Sequence, residues 1–124
     1  GGRVREVNDT ERGEPGHGAG VGCNLNLPLA FGSGDGEYLA AVETLAEHAL
    51  GFGAEALVIS AGWDAHHADP LSKLAVTGDA YPLVGEMLGR LGLPSVIVQE
   101  GGYSLAAVSE AAPAFTGAFM GARA

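Results

Sequence analysis

Cysteine is nearly missing from this 124-residue chain, in which Cys23 stands alone. A single thiol forms no internal disulfide, and it excludes the multi-cysteine cluster of a structural zinc site. Basic residues are scarce as well: 6 Lys and Arg stand against 15 Asp and Glu, for a net charge of −9. Binding to a phosphate backbone needs a basic patch, so nucleic acid is not expected as a direct partner. The acidity keeps the chain soluble and would also steer a cationic substrate toward a cleft. No apolar run approaches the length of a membrane-spanning helix, and no basic segment followed by an apolar one opens the chain as a secretory signal. A cytoplasmic setting without a membrane partner is therefore expected. The initiator Met is also missing; a start at Gly1-Gly2 reads as a fragment or a processed piece.

Hydrophobic residues make up 47% of the chain and charged residues 17%, the balance of a folded domain, and the length suits one domain with a real core. Residues 1–22 are polar and glycine-rich and read as loop. They do not carry the dinucleotide fingerprint, because counting from Gly16 and Gly18 the third glycine would fall on Val21, and they lack the Lys-Ser/Thr ending of a P-loop. Residues 23–124 read as an α/β portion.

Within that portion, Asn24-Leu25-Asn26-Leu27 alternates as a short strand stopped by Pro28. Asp35 is placed to cap a helix reaching about Leu50, with Leu39, Val42, Leu45 and Ala46 on one face and Gly51 and Gly53 ending it. Residues 56–60 and 95–98 are apolar runs that read as buried strands. Between them come a polar loop over 61–76 and a helix capped by Thr77, with Pro82 in its first turn and Tyr81, Val84, Leu88 and Leu91 inward. A last helix from about Leu105 turns Leu105, Val108, Ala112, Phe115 and Phe119 inward, and Pro113 should kink or split it. Alternation of this kind implies a parallel sheet of about three strands with flanking helices. A sheet that small leaves exposed edges, so self-association into a homo-oligomer is expected of the isolated chain.

Two segments follow the apolar runs directly: Ser60-Ala61-Gly62-Trp63-Asp64-Ala65-His66-His67-Ala68-Asp69-Pro70-Leu71 and Glu100-Gly101-Gly102-Tyr103. The carboxyl ends of parallel strands are where open α/β sheets place their sites. Pro70 restricts Asp69 to extended geometry. An isolated Asp-Pro is usually only a turn former, and a Tyr after a glycine pair is usually only a half-exposed side chain.

Taken whole, the first segment resembles the Ser-Ala-Gly-Phe-Asp-Ala-His-x-x-Asp-Pro-Leu pattern of the zinc-dependent deacetylases, the family of histone deacetylases and acetylpolyamine amidohydrolases. The second resembles that family's Glu-Gly-Gly-Tyr. The likeness extends from about Glu11 to Gly121 and implies the C-terminal portion of an arginase/deacetylase-like three-layer fold. It implies that Asp69 is a ligand of Zn2+ and that Tyr103 donates a hydrogen bond to the developing oxyanion. His66 and His67 imitate the family's tandem histidines, and Asp64-Ala65-His66 its Asp-x-His pair, but those motifs belong to the family's first half. The longer match puts His66 and His67 at the pocket rim or in contacts behind it. Asp64 is then a loop organiser, Trp63 packs beneath the site, and Gly101 and Gly102 give the backbone room.

The resemblance therefore implies hydrolysis of the acetyl-amide of an acetylated lysine side chain or an acetylpolyamine. One zinc ligand is present, and the others are expected from a missing N-terminal half, so the chain by itself is expected to be inactive. Three other readings stay open: a non-catalytic deacetylase-like interaction module, a small metal-binding domain using Asp64, His66, His67 and Asp69, and an α/β domain with a small-molecule pocket.

Overall fold

A computed structural model describes Ala19 and residues 24–123; the glycine-rich segment assigned to residues 1–22 lies, apart from Ala19, outside the described residues. The element order is α1 (Asp35–Phe52), β1 (Leu57–Ala61), α2 (Ala80–Gly89), β2 (Ser95–Gln99) and α3 (Leu105–Arg123). β1 and β2 run parallel and in step, from Leu57 opposite Ser95 to Ala61 opposite Gln99. The α/β class and the parallel sheet agree with the sequence pattern. The strand count does not: among the described residues the sheet has two strands. The 24–29 stretch contributes only an isolated bridge at Leu25, and Pro28 offers no N–H with which to extend a ladder.

Two helix starts differ from the pattern. Gly34, not Asp35, caps α1, and its N–H is met by Glu37 Oε2 at 3.1 Å. Asp35 instead accepts from the Thr77 backbone N–H at 2.7 Å and from the Thr77 hydroxyl. Thr77 is thereby tied to α1, and α2 starts three residues later behind Asp79, with Pro82 still in the first turn. Gly53 ends α1 at φ 84°, a conformation that costs glycine little.

The inner face of the sheet presents Ile59 and Ile97 to a core of Val42, Trp63, Val76, Tyr81, Val84 and Phe115. Trp63 is its hub, with ring centroids 5.7 Å from Tyr81 and 5.6 Å from Phe115. On the outer face Val58, Val96 and Val98 are exposed. α2 and α3 approach closely because Gly85 and Gly89, four residues apart on one face of α2, meet the Phe115 and Phe119 backbone. That approach sets the buried stripe of α3 as Ala107, Ala111, Phe115 and Phe119, whereas Leu105 stands exposed. α3 runs unbroken through Pro113, which forfeits only the bond to the Ser109 carbonyl on the exposed side of the helix. Among the described residues, no helix is long and apolar enough to cross a membrane.

Candidate active site

Because β1 and β2 are parallel and in step, their carboxyl ends finish side by side and release both motif loops at one edge. Pairing continues past the strands: Glu100 N–H donates to the Ala61 carbonyl at 2.9 Å, and Trp63 N–H donates to the Gly101 carbonyl at 2.7 Å. The Glu100 side chain is exposed.

Two glycines admit this contact. A Cβ at Gly101 would lie 2.7 Å from Asp64 Oδ2, and one at Gly102 would lie 2.9 Å from Val108 Cγ2 and 3.1 Å from Trp63 Cδ1. Gly102 also has φ 154°, which a side chain rarely adopts. The Asp64 carboxylate packs across Gly62 and Gly101 and is otherwise exposed. Trp63, 3% exposed, forms the floor beneath.

Asp69 is the joint between the loops. It is 5% exposed, and its Oδ1 accepts from Leu71 N–H at 2.9 Å in a local turn. Its Oδ2 accepts from Tyr103 N–H at 2.7 Å, across 34 residues of sequence. The Tyr103 ring itself is exposed beside the cleft that Trp63, Asp64 and Gly101 help to line.

His66 sits behind the loop and not on the rim, at 4% exposure. Its Nδ1 accepts from Ala68 N–H at 3.0 Å, and its Nε2 faces Glu110 Oε1 at 3.4 Å. His67 is exposed and stacks on His66 with centroids 4.6 Å apart. Tyr81, read from the sequence only as part of an apolar stripe, lies under the loops with its hydroxyl buried and, among the described residues, without a hydrogen-bond partner. Burial, then the neighbouring Tyr38 and the Asp64, Asp69 and Asp35 carboxylates, hold its phenol far above the usual range, so it stays protonated.

Asp69 does not line the cleft and has both oxygens bonded to backbone N–H groups. The Asp64 carboxylate is exposed and lines it, so of the two Asp64 is the one open to a cation. A catalytic zinc takes three protein ligands, and among the described residues no group of three His, Cys, Asp or Glu is placed to hold a metal. His66 has both ring nitrogens engaged. Asp64, His66, His67 and Asp69 are thus not grouped, among the described residues, to hold a metal. The described residues do not fit catalytic zinc on their own.

The sequence matches the histone deacetylase domain family over residues 8–119. It is 40% identical over 111 residues to an acetylpolyamine amidohydrolase of Burkholderia pseudomallei, an overlap of 90% of this chain and 32% of that protein. It is 36% identical over 92 residues to histone deacetylase 15 of Arabidopsis thaliana, covering 73% of this chain and 17% of that protein. The crystal structure of the acetylpolyamine aminohydrolase from Burkholderia pseudomallei superposes with a TM-score of 0.86, over 90% of this chain and 32% of that one. The HDA15 HD domain superposes at 0.78 with 36% identity, over 88% of this chain and 32% of that one. The chain thus spans about a third, or less, of the proteins it matches.

Proposed function

The chain belongs to the histone deacetylase family, and from that premise we propose that it forms one wall of the active site of a zinc-dependent amidohydrolase that hydrolyses acetyl-amides. The observation that carries this reading is the Asp69–Tyr103 hydrogen bond, which joins the two motif loops at the shared edge of the sheet. In this reading Asp64, the loop carboxylate that lines the cleft, is one ligand of the zinc in place of the Asp69 that the sequence pattern suggested. The remaining ligands and the general base come from the two thirds of the relatives' fold beyond the stretch matched here. Bound zinc would supply Lewis-acid polarisation of the carbonyl and of water. Tyr103 donates its phenolic hydrogen bond to the carbonyl oxygen as negative charge develops there. Asp69 holds the Tyr103 backbone in place, and Trp63 and Val108 support the Gly102 turn from below. The substrate class is an acetylated amine, with an acetylpolyamine favoured over acetyl-lysine: the net charge of −9 suits a polycation, and several of the matched relatives carry that substrate in their names.

A graft tests the reading. This chain replaces the matching third of the Burkholderia pseudomallei amidohydrolase, and acetate release from an acetylpolyamine is measured. The graft is expected to be active only with zinc and to lose activity with Tyr103→Phe, and the 124-residue chain alone is expected to show no turnover. Zinc-dependent turnover by the chain alone would refute it. A folded, zinc-loaded but inactive graft would do so too, and would favour the interaction-module reading, which the bare outer face of the sheet supports.

A further inference from the structure

The chemistry proposed above leaves two buried titratable side chains without a part, Tyr81 and His66, and of these His66 has both its polar atoms engaged. Its ring is held on every side. Tyr81 stacks over one region at 6.2 Å and 16°, and His67 stacks at 4.6 Å and 22°. Nδ1 accepts the Ala68 N–H, so in the neutral ring the proton lies on Nε2 and is directed at Glu110 on α3. Mere packing would be satisfied by an apolar ring; these contacts need both nitrogens in defined states.

The Glu110 side chain, 58% exposed, lies against Gly78. A Cβ at Gly78 would lie 2.5 Å from the Glu110 Cδ and closer still to its Oε1. A side chain at 78 would therefore displace the Glu110 carboxylate.

From His66 the bonds return to the same helix. The His66 carbonyl accepts Asp69 N–H at 2.9 Å, and Asp69 Oδ2 accepts Tyr103 N–H. The next residue, Ser104, accepts Ala107 N–H through its hydroxyl at 3.2 Å, at the start of α3. The circuit is closed: Tyr103 directly precedes Ser104, which caps the first turn of α3, and Glu110 in the next turn meets the Asp69 loop through His66.

We propose that Glu110 and His66 are a positioning pair that latches the Asp69 loop onto α3 and thereby sets the Asp69 carboxylate against Tyr103. Its functional meaning rests on the reading of Tyr103 as a site residue. Its geometry can be tested without turnover, so failure of one is distinguishable from failure of the other.

Amide hydrogen exchange in the 124-residue chain, followed by NMR, reads the latch directly at Leu71 and Tyr103, the two amides that bond the Asp69 carboxylate. Glu110→Ala is expected to speed exchange at both about three- to tenfold, the range of one lost hydrogen bond, while Phe115 in the core stays unchanged. Glu110→Gln keeps an acceptor oxygen and should retain the wild-type rates. Gly78→Ala should reproduce Glu110→Ala with Glu110 still present. The ring 15N spectrum of His66 should show Nε2 protonated and Nδ1 bare. Unchanged exchange in Glu110→Ala, acceleration that extends to Phe115, a Gln variant that behaves like Ala, or the Nδ1-protonated ring would each overturn the proposal.

Discussion

Asp69→Ala is expected to free the Tyr103 loop and to lower the unfolding free energy by about 2–3 kcal/mol, since two backbone donors lose a charged acceptor. Removing a carboxylate from a 5% exposed position also relieves a desolvation cost. Two considerations decide the sign. Both Asp69 oxygens are hydrogen-bonded, so much of that cost is already offset. One of the two bonds joins segments 34 residues apart. The cost stays moderate because Leu71 and Tyr103 are exposed, and water can reach their amides once the loop has moved. Asp69→Asn should cost about half as much, because its amide group keeps one acceptor oxygen and turns a donor toward the other N–H. Chemical denaturation gives the energies, and the Tyr103 amide shift reports the loop. A Tyr103 amide unchanged in Asp69→Ala would refute the coupling.

Gly85→Ala is the second large effect, and its sign runs against helix propensity. Exchange of glycine for alanine inside a helix normally gains about 1 kcal/mol. At Gly85 the new methyl would lie 3.1 Å from the Phe115 carbonyl carbon and closer still to its oxygen. That neighbour is backbone, inside a 19-residue helix, and cannot step aside as a flexible side chain would. Overpacking of this kind costs roughly 3 kcal/mol, so a net loss near ~2 kcal/mol is expected, equivalent to a fall in Tm of about 10 °C. Gly117→Ala is the control. It lies within α3 with nothing near its Cβ position, and there propensity acts unopposed, so a small gain in stability is expected. If both variants shift Tm in the same direction, the tight α2–α3 contact is not as described.

The two glycines at 85 and 89 show where sequence reading stops. In the chain they interrupt an apolar stripe and look like weak points of a helix. Only the packing reveals that the missing side chains are the contact. The same holds for α3, where a stripe through Leu105 was legible, yet the approach of α2 selects Ala107 and Ala111 instead. Thr77 carried a capping signal that Asp35 overrides from 42 residues away. His66 read as a neighbour of the site, and no local pattern marks Glu110 or Gly78 as its partners.

Sequence alone determined the α/β class, the parallel pairing of the two apolar runs, and the two motif loops with Asp69 and Tyr103. These are local matters: strand runs, turn glycines and an Asp-Pro constraint are written within a few residues of where they act. Tertiary structure alone decided that Asp69 binds the Tyr103 amide and that His66 is buried against Glu110. Those facts depend on contacts between residues 34 and 44 positions apart. Such contacts are set by the in-step ends of two strands and the closeness of two helices, which no local run of residues encodes.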